Sequence, residues 1–526
     1  MQTLQGGRHG GLVFVLGGGV LLLALTPGCW LCNDEPETYP NRVEVHNQST
    51  HTIARVYVSP SSSAYWGNNQ INSTIPPGGV HAISSVPNDR YDLLAEDTTG
   101  QWYWETYGVD LYDGSTLTWN LLGGSDAPAG TGAAWTFMVY LCGDNNLEDA
   151  GILDFLELAS VGSTSQVNIV VMMDRCPGYD TSYDNWTDTR RGRVDRGDVP
   201  SASWGEGMGE INMGLPESLS SFVVWSAQTF PANHYALVLW DHGSGWDKRL
   251  APGAKAVCFD DSSGNNALHM EELEAALQTA VAALGRPIDL IGFDACLMGM
   301  AEVAYQIRNY GEVMIGSEEL EPAYGWPYHL VLETLTAEPS ISARNIGKCI
   351  VNSYYSSYDY TEILSAIDLT LMDGVAGAVR TFGRALRSDW NRNTSVCVSA
   401  ANGVINAVDA AVIHERHGSQ WQYAHGMAVY FPYVFNRYDP GYDNPAYIRF
   451  PTDTEWNLFL REYYGGMSTS WVGGVSDEVQ SFGPDGDHVD LYDLADLVRV
   501  RAPGKREPAP EPATANHVRD SRAHRP

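Results

Sequence analysis

The chain has 526 residues, of which 44% are hydrophobic and 11% aromatic, and its formal net charge is -33. Such a composition is typical of a globular chain, and the length exceeds one ordinary hydrophobic core, so we expect two or three domains. The 64 Asp and Glu residues against 31 Lys and Arg argue against nucleic acid as a partner, because phosphate would be repelled. The same charge would attract basic peptides.

Residues 1–32 have the layout of an export segment. Arg8 precedes an apolar run from Gly11 to Leu25, which is short and glycine-rich for a membrane span. Cys29 follows the run and is similar in position to the lipidated cysteine of bacterial lipoproteins, although Leu25 lies one place too far upstream. We therefore expect an exported protein that is either extracellular or held on the cell envelope as a lipoprotein through Cys29.

Six segments within residues 36–122 alternate apolar and polar side chains, and turn clusters such as Pro-Pro-Gly-Gly separate them. This pattern predicts a small all-β sandwich domain. The region has no paired carboxylates and no Cys/His set, so we expect no catalysis there, and its binding partner is unknown. Residues 123–134, rich in Gly and Ala, are predicted to form a linker.

Residues 135–465 change to near-continuous apolar runs that alternate with helical periodicity. The runs are WTFMVYLC, VNIVVMMD, YALVLW, IDLIGF and EVMIGS. They predict an α/β fold with a doubly wound, mostly parallel sheet, in which ligands bind at the carboxyl ends of the strands. The core pattern is lost after residue 465, and residues 466–526 are predicted to form a short acidic helix and a disordered basic tail.

Two reactive side chains stand at predicted strand ends. Cys296 follows the run IDLIGFDA and precedes a helical pattern, whose N-terminal amides would favour a thiolate. An isolated cysteine is usually an inert buried thiol. However, His242 ends the run YALVLWD and is followed by small residues that leave room for a substrate. Together they form a candidate nucleophile and base, with the backbone N–H groups of Gly243 and Cys296 as a candidate oxyanion hole.

Asp294 lies two residues before Cys296, so on an extended segment both side chains emerge on the same side. A carboxylate in a substrate crevice needs a partner, and a Lys or Arg of the substrate would supply one. The alternative is an aspartate that caps the following helix. The sequence by itself does not decide between the two.

Two other hydrolase classes lack their motifs. The chain has no GxSxG sequence, and Ser244 is embedded in HGSGW. The sequence HERH, from His414 to His417, is not the HExxH of a zinc protease. The absence of both motifs favours a cysteine as the nucleophile over a serine or a zinc-bound water.

Four segments of the chain resemble the clostripain family of cysteine endopeptidases, relatives of caspases, gingipains and legumain. The segments are FMVYLCGDNNLED, YALVLWDHGSGW, DLIGFDACLMGMAEVAYQI and GSEELEPAYGWPY. The resemblance implies a caspase-like fold and a Cys–His dyad that cleaves after Arg or Lys without a cofactor. It makes Cys296 the nucleophile, His242 the general base and acid, and Asp294 the acidic residue that binds the basic side chain.

The fourth segment departs from some relatives, which carry a second acidic residue immediately before its Gly-Trp. This chain has Tyr324 there. Tyr324 is therefore a candidate substrate contact, and a preference for Arg over Lys stays open. The amide of Asp144 or Asn145, after the first strand, either lines the same crevice or caps its loop.

The resemblance also implies maturation and calcium binding. Family members are often zymogens cut between the His and Cys segments, and here that interval contains Arg249 and Lys255. Lys255 is the better candidate for self-processing because its neighbours are small. Calcium dependence occurs in the family, and Asp260 and Asp261 are weak candidate ligands.

The sequence thus predicts an exported cysteine endopeptidase that acts on peptides and proteins with Arg or Lys at the cleavage site. Its competitor belongs to another class: a surface-anchored binding protein in which the β-sandwich functions and the peptidase-like domain is inactive. The intact pair of Cys296 and His242 argues against this competitor, because an inactive domain need not keep both.

Overall fold

The computed structural model describes residues 41–49, 51–61, 63, 68–98, 102–112, 114–121, 125–126, 133–246, 257–388, 395–422, 424–432, 438–466 and 488–500. The predicted export segment with Cys29, and the candidate processing residues Arg249 and Lys255, lie outside these residues. Among the helices within these ranges, none has both the length and the apolar character required to cross a bilayer.

The N-terminal part consists of two small sheets. Its strands are β1 (Asn41–Asn47), β2 (Ile53–Pro60), β3 (Val80–Val86), β4 (Asp89–Asp97), β5 (Trp102–Leu111), β6 (Thr116–Leu121) and β7 (Ser125–Asp126). The sheet orders are β3-β1-β6 and β2-β4-β5-β7. Alternate residues of β1 point inward, and Val43 packs in one cluster with Val56 of β2. The two sheets therefore share a single core, as the alternation in the sequence predicts.

A nine-stranded sheet forms the centre of the larger part. Its strands are β8 (Ala133–Gly143), β9 (Val167–Arg175), β10 (Thr189–Arg193), β11 (Glu206–Gly209), β12 (Ala232–Trp240), β15 (Ile288–Asp294), β16 (Gly311–Gly316), β17 (Leu364–Asp368) and β18 (Val412–Arg416). Two further strands, β13 (Val257–Asp260) and β14 (Asn266–Leu268), form a separate hairpin. The sheet order is β11-β10-β9-β8-β12-β15-β16-β17-β18. Strands β9, β8, β12, β15 and β16 are parallel, and the outer strands are antiparallel.

Helices cover both faces of this sheet. They are α1 (Glu148–Val161), α2 (Pro216–Thr229), α3 (Met270–Leu284), α4 (Ala301–Ile307), α5 (Tyr328–Ala337), α6 (Ala343–Ser357), α7 (Met372–Ser388), α8 (Ser395–Ala411), α9 (Phe450–Thr454), α10 (Trp456–Gly466) and α11 (Leu491–Val500). Successive residues of β8 enter opposite cores: Met138 packs with α2 and α3, whereas Val139 packs with α1 and α6. The predicted doubly wound, mostly parallel α/β fold is confirmed.

The C-terminal described segment is closer to the core than its sequence suggests. β20 (His488–Asp490) pairs with β19 (Ala428–Tyr430), and α11 continues from it against α8. Val489, Leu491 and Leu494 are buried in the cluster that covers one face of the sheet. The acidic helix expected beyond residue 465 is thus present, but it packs on the same core as the residues before it. The helix has too few apolar residues for their spacing in the sequence to predict this packing.

Candidate active site

The two reactive side chains follow neighbouring strands of the central sheet. β12 and β15 are parallel, and Trp240 lies opposite Asp294 in their register. His242 and Cys296 therefore both stand two residues beyond this matched pair. The backbone N–H of Asp241 donates to the carbonyl of Asp294 at 3.2 Å and keeps the two chains together past the strand ends. The structure thus brings the predicted nucleophile and base to the same edge of the sheet.

Cys296 lies in a turn and not at a helix N-terminus. α4 begins only at Ala301, so the expectation that helix amides activate the thiol is wrong. Instead the N–H of Glu321 donates to the sulfur at 3.3 Å. Burial raises the pKa of the Cys296 thiol, and the backbone N–H groups of Glu321, Cys296 and Gly243 partly offset this rise. The free thiol is therefore protonated at neutral pH.

Gly243 is in close contact with the backbone of Cys296. A Cβ atom at this position would lie 2.2 Å from the Cys296 carbonyl oxygen and 2.9 Å from its amide nitrogen. Only glycine fits this approach without displacing backbone. The backbone N–H groups of both residues act to lower the pKa of the thiol, so they lie near the sulfur, where an oxyanion hole would be needed. The oxyanion-hole role itself stays a prediction.

The imidazole of His242 has a partner that the sequence analysis missed. Its Nε2 lies 3.0 Å from Oδ1 of Asn146. Because an amide oxygen only accepts, Nε2 carries the proton and Nδ1 keeps its lone pair. Phe259 presents its ring to the imidazole at 5.9 Å between centroids and 84° between planes. Burial lowers the pKa of His242, so the ring is neutral at pH 7, as a general base must be.

Asn145 has a structural role beneath the histidine. Its side-chain N–H donates to Asp241 at 2.8 Å and to the carbonyl of Cys142 at 3.1 Å. Its Oδ1 accepts from the N–H of Leu147 at 2.9 Å. These contacts match the loop-capping alternative for Asn145. The sequence feature that could have identified Asn146 as a contact of His242 is its position in the same polar turn, directly after a buried strand.

Asp294 is 4% exposed and does not cap the following helix. Its Oδ2 accepts from the N–H of Trp326 at 3.1 Å and from the hydroxyl of Tyr328 at 2.7 Å. Burial raises the pKa of Asp294 to about 6, against the effect of these hydrogen bonds. The helix-capping alternative is therefore wrong, and the role of Asp294 in substrate binding stays a prediction.

Two further carboxyl groups lie beside Asp294. Gly325, at φ +54°, passes so close that a Cβ atom would be 2.7 Å from Asp294 Oδ2 and 3.0 Å from Asp154 Oδ2. The Asp154 carboxylate accepts from the indole N–H of Trp240 at 2.6 Å. Burial and the neighbouring Asp294 raise the pKa values of Asp154 and Glu321 well above their usual range. Neither acid was singled out from the sequence, because they come from α1 and from a distant loop.

Glu321 differs from the other two acids in its hydrogen bonding. In the part of the chain that the structure describes, neither of its buried carboxyl oxygens accepts a hydrogen bond of good geometry. Its own backbone N–H holds the Cys296 sulfur. Tyr324, three residues later, is 66% exposed. Glu321 thus adjoins both Cys296 and Asp294.

A second group of acidic side chains consists of four carboxylates. Ligand atoms of Asp144, Asp174, Glu210 and Asp260 all lie within 4.8 Å of one another. Burial, followed by the charges of Asp144 and Asp260, raises the pKa of Glu210 to about 7. Asp261 is not in the group, and its carboxylate accepts from the Tyr179 hydroxyl at 3.2 Å. Of the two calcium candidates from the sequence, only Asp260 therefore belongs to a cluster that suits a metal ion.

Comparisons with known proteins place these residues in a family. A model of the clostripain family matches residues 139–501. Clostripain from Hathewaya histolytica is 30% identical over 227 residues, which cover 38% of this chain and 42% of the relative. The chain therefore matches less than half the length of that curated relative.

Two solved structures resemble the fold. A secreted cysteine protease from Bacteroides thetaiotaomicron, in complex with an irreversible peptide inhibitor, has a TM-score of 0.48 and 21% identity, covering 62% of this chain and all of that one. An inactive protease zymogen from Parabacteroides distasonis has a TM-score of 0.43 and 19% identity, covering 64% of this chain and 99% of that one.

Proposed function

Because the chain belongs to the clostripain family of cysteine peptidases, we propose that it is an endopeptidase that cleaves after Arg or Lys with a Cys–His dyad. The observation that carries this proposal is the meeting of Cys296 and His242 at neighbouring strand ends, beside three buried carboxyl groups. The thiol and imidazole supply the nucleophile and base, and the carboxyl groups supply the charge that a basic side chain needs.

In the first half-reaction, Nδ1 of His242 takes the thiol proton as the Cys296 sulfur attacks the scissile carbonyl carbon. The carbonyl oxygen becomes an oxyanion, which the amides of Gly243 and Cys296 stabilise. The imidazolium then returns the proton to the leaving amine while the C–N bond breaks. The products are a thioester between Cys296 and the amino-terminal part of the substrate, and a released carboxyl-terminal fragment with a new free amino group.

In the second half-reaction, water attacks the thioester carbonyl and His242 again takes the proton. The C–S bond breaks, the sulfur regains a proton from the imidazolium, and the carboxylic acid product leaves. All protons remain between the dyad, water and substrate, so the reaction needs no cofactor. Asn146 keeps Nδ1 as the basic nitrogen through both half-reactions.

In this proposal Asp294 and Glu321 bind the basic side chain that precedes the cleaved bond. Because the two carboxyl groups lie close together, one of them keeps a proton in the free protein. A guanidinium or ammonium group bound between them would take the place of that proton. Glu321 supplies a second acid, although Tyr324 occupies the place where some relatives carry theirs. Two carboxylates match the fork of Arg better than the single point charge of Lys, so we expect Arg to be preferred.

The test is the hydrolysis of fluorogenic peptides that differ only in Arg, Lys or citrulline before the cleaved bond. Citrulline keeps the shape of Arg and removes its charge. We expect Cys296→Ala to abolish hydrolysis. Asp294→Asn should lower kcat/KM for Arg by roughly 100-fold or more while leaving the citrulline value almost unchanged, as expected for loss of a buried charge partner.

The variant Glu321→Gln extends this test, with Glu333→Gln on the exposed face of α5 as its matched control. The first should reduce the ratio of Arg to Lys hydrolysis, and the second should leave it unchanged. An Arg-to-citrulline ratio that Asp294→Asn does not alter would remove Asp294 from the specificity role. Hydrolysis by Cys296→Ala at the wild-type rate would remove the nucleophile, and no hydrolysis by wild type would favour the inactive binding protein.

Self-processing follows from the same specificity. The segment 247–256, which contains Arg249 and Lys255, joins the buried Trp246 to Val257, and Val257 forms a bridge with Gly243. Its two ends are therefore attached next to the dyad. We expect wild type to separate into two chains on a denaturing gel and Cys296→Ala to stay whole. Cleavage that continues in Lys255→Ala would move the site to another residue such as Arg249.

Export, with Cys29 as a lipidation site, completes the proposal. It rests on the apolar run from Gly11 to Leu25 and on the cysteine that follows. In a bacterial host, labelled fatty acid should be incorporated into wild type and not into Cys29→Ser. Label in both proteins, or in neither, would exclude Cys29 as the lipidated residue.

A further inference from the structure

Two cysteines that the proposed mechanism does not use lie side by side in the core of the larger part. Cys142 is on β8 and Cys258 is on β13, and both are free thiols in this structure. Both are 0% exposed and belong to the same hydrophobic cluster. Their thiol groups are hydrogen-bonded to each other. The fold therefore brings together two groups that can form a covalent bond.

The backbones of β8 and β13 are also held together at this point. The two strands pack against each other. The side-chain N–H of Asn145 donates to the carbonyl of Cys142 at 3.1 Å and to that of Phe259, on β13, at 3.2 Å. The N–H of Asp261 donates to the carbonyl of Asp144 at 2.9 Å. These hydrogen bonds keep the two backbones at close range, as the short span of a disulfide bond requires.

Cys258 has an unusual backbone conformation for a residue with a side chain. Its φ is +62°, in the left-handed region that favours glycine. The pairing of β13 with β14 is irregular between Val257 and Asp260, which is where Cys258 lies. Such a conformation costs free energy and persists only where the surrounding structure requires it. Here it accompanies a side chain that is held in the core against Cys142.

We propose that Cys142 and Cys258 form a disulfide bond when the chain folds under oxidising conditions. One thiolate attacks a disulfide donor such as oxidised glutathione, which gives a mixed disulfide and releases one thiol. The other thiolate then attacks the mixed disulfide and releases the second thiol. The two cysteines lose two electrons and two protons, and the donor is reduced to two thiols. The proposed export would take the chain to a compartment where such bonds persist.

The bond must form before the two cysteines are enclosed. Thiol–disulfide exchange requires a thiolate that the donor can reach. In the folded chain neither side chain is exposed, and burial raises the pKa of both thiols. Oxidation therefore belongs to folding and not to the finished structure, and the bond is tested on protein that folds in the presence of the donor.

The bond would join the two products of the proposed self-processing. The segment 247–256 lies between the two cysteines in the sequence and contains Arg249 and Lys255. Cleavage at either residue leaves Cys142 in one chain and Cys258 in the other. The disulfide would therefore keep both chains of the mature enzyme attached. This consequence rests on the proposed function, whereas formation of the bond does not require peptidase activity.

The bond itself is tested in Cys296→Ala, which cannot digest itself, after folding from urea with reduced and oxidised glutathione. Free thiols are then alkylated in denaturant, and the protein is digested without reduction for mass spectrometry. A peptide with Cys142 should be linked to one with Cys258. The other cysteines in the described part of Cys296→Ala should carry the alkyl label; they are Cys176, Cys349 and Cys397. Label on both Cys142 and Cys258, or a link from either to another cysteine, would overturn the proposal.

The stability of the same protein gives a second readout. In Cys296→Ala a reductant should lower the unfolding midpoint by roughly 4 °C or more, as expected when a long loop loses its cross-link. Adding Cys142→Ala should abolish this effect of the reductant, whatever the substitution costs in packing. The matched control Cys349→Ala alters another buried cysteine and should retain it. If Cys142→Ala does not fold, Cys258→Ala serves for the same comparison. A reductant effect that these variants retain would overturn the disulfide.

A denaturing gel of wild type distinguishes the bond from self-processing. The separation into two chains expected above then requires a reductant in the sample, and without it the chains should run as one band. Cys142→Ala should give two bands under both conditions. Two bands for wild type without reductant would overturn the disulfide. One band with reductant, together with the linked peptide in Cys296→Ala, would remove self-processing and leave the disulfide in place.

Discussion

At the scale of the residue, burial determines the charge state of the dyad. It raises the pKa of Cys296 and lowers that of His242, so both groups are neutral before the substrate binds. Burial penalises whichever form is charged, and here it acts on the thiolate and the imidazolium alike. In the proposed mechanism the proton therefore moves during attack on the substrate and not before it. We therefore do not expect the free enzyme to hold the thiolate–imidazolium pair found in some cysteine peptidases.

The first prediction concerns the alkylation of Cys296 by iodoacetamide in the free enzyme. The rate should continue to rise above pH 8.5, the ordinary thiol pKa, because the thiolate fraction grows until the raised pKa is reached. The measurement is mass-spectrometric labelling of this residue across the pH range. A plateau that begins below neutral pH would instead show a preformed thiolate.

The second prediction concerns Asn146 as a positioning residue for His242. Asn146→Ala removes the acceptor at Nε2, so the imidazole loses its fixed tautomer. We expect kcat to fall by about 10- to 100-fold with little change in KM, the range known for outer contacts that orient a histidine. The acidic limb of the kcat/KM profile should also shift. A matched loss in thermal stability with an unchanged pH profile would indicate a structural role only.

At the scale of the element, the C-terminal strand and helix complete one face of the core. β20 pairs with β19, and α11 packs on α8. The indole N–H of Trp456, on α10, donates to the carbonyl of Tyr430 at the end of β19 and links this small sheet to a further helix. These elements contribute to stability although none of them carries the chemistry.

The third prediction compares two leucines. Leu491, at the start of α11, is 0% exposed, whereas Leu153, on α1, is 45% exposed. Leu491→Ala should lower the free energy of unfolding by about 2 to 5 kcal/mol, because it opens a cavity in the core. Leu153→Ala should change it by less than about 0.5 kcal/mol, as is usual on surfaces. Chemical denaturation in the Cys296→Ala background measures both, and equal effects would show that α11 is not part of the cooperative core.

At the scale of the whole molecule, buried acids make stability depend on pH. Burial raises the pKa of Glu302 and of Asp493 to about 7 and that of Asp294 to about 6. Between about pH 4 and pH 7 the folded chain therefore holds protons that the unfolded chain has released. The free energy of unfolding must then fall as the pH rises through this window. His414, whose pKa burial lowers to about 3, acts in the opposite direction below about pH 6.5.

The fourth prediction follows from this balance. Because these acids outnumber His242 and His414, the two described histidines whose pKa burial lowers, Cys296→Ala in EDTA should have a higher Tm at about pH 5.5 than at about pH 7.5. The variant Glu302→Gln, which keeps the acceptor for the Tyr442 hydroxyl, should reduce the difference. A Tm that is lower at the acidic pH would contradict the prediction.

The fifth prediction concerns the junction between the N-terminal sheets and the central fold. Lys348 of α6 pairs with Asp92 of β4, and these side chains are 1% and 4% exposed. Asp92 also accepts from the Ser61 hydroxyl and the Gly108 N–H. Lys348→Met leaves this carboxylate buried without its cation and should lower the free energy of unfolding by about 3 to 5 kcal/mol.

The double variant Asp92→Leu/Lys348→Met is the control for that change. It replaces both charges with apolar groups, so it should recover most of the loss. Urea denaturation distinguishes the two variants. A single variant as stable as wild type would show that the pair does not join the two parts. The predicted limits of the N-terminal domain and its linker stay predictions in either case.

The apolar pattern of the sequence was enough to predict the central fold and to bring Cys296 and His242 together as a candidate dyad. Cys296, His242 and Asp294 each follow an apolar run, and parallel strands place their carboxyl ends at one edge of a sheet, so local pattern was sufficient. The places of Asn146, Asp154 and Glu321 beside the candidate site became visible only in the folded chain, because these residues come from a turn, a helix and a loop far apart in the sequence. The carboxylate group of Asp144, Asp174, Glu210 and Asp260 needed it for the same reason. The spacing of apolar residues along the sequence predicts single helices and strands. Electrostatic interactions depend on the distances between charged groups on different elements, and these distances are set by tertiary packing.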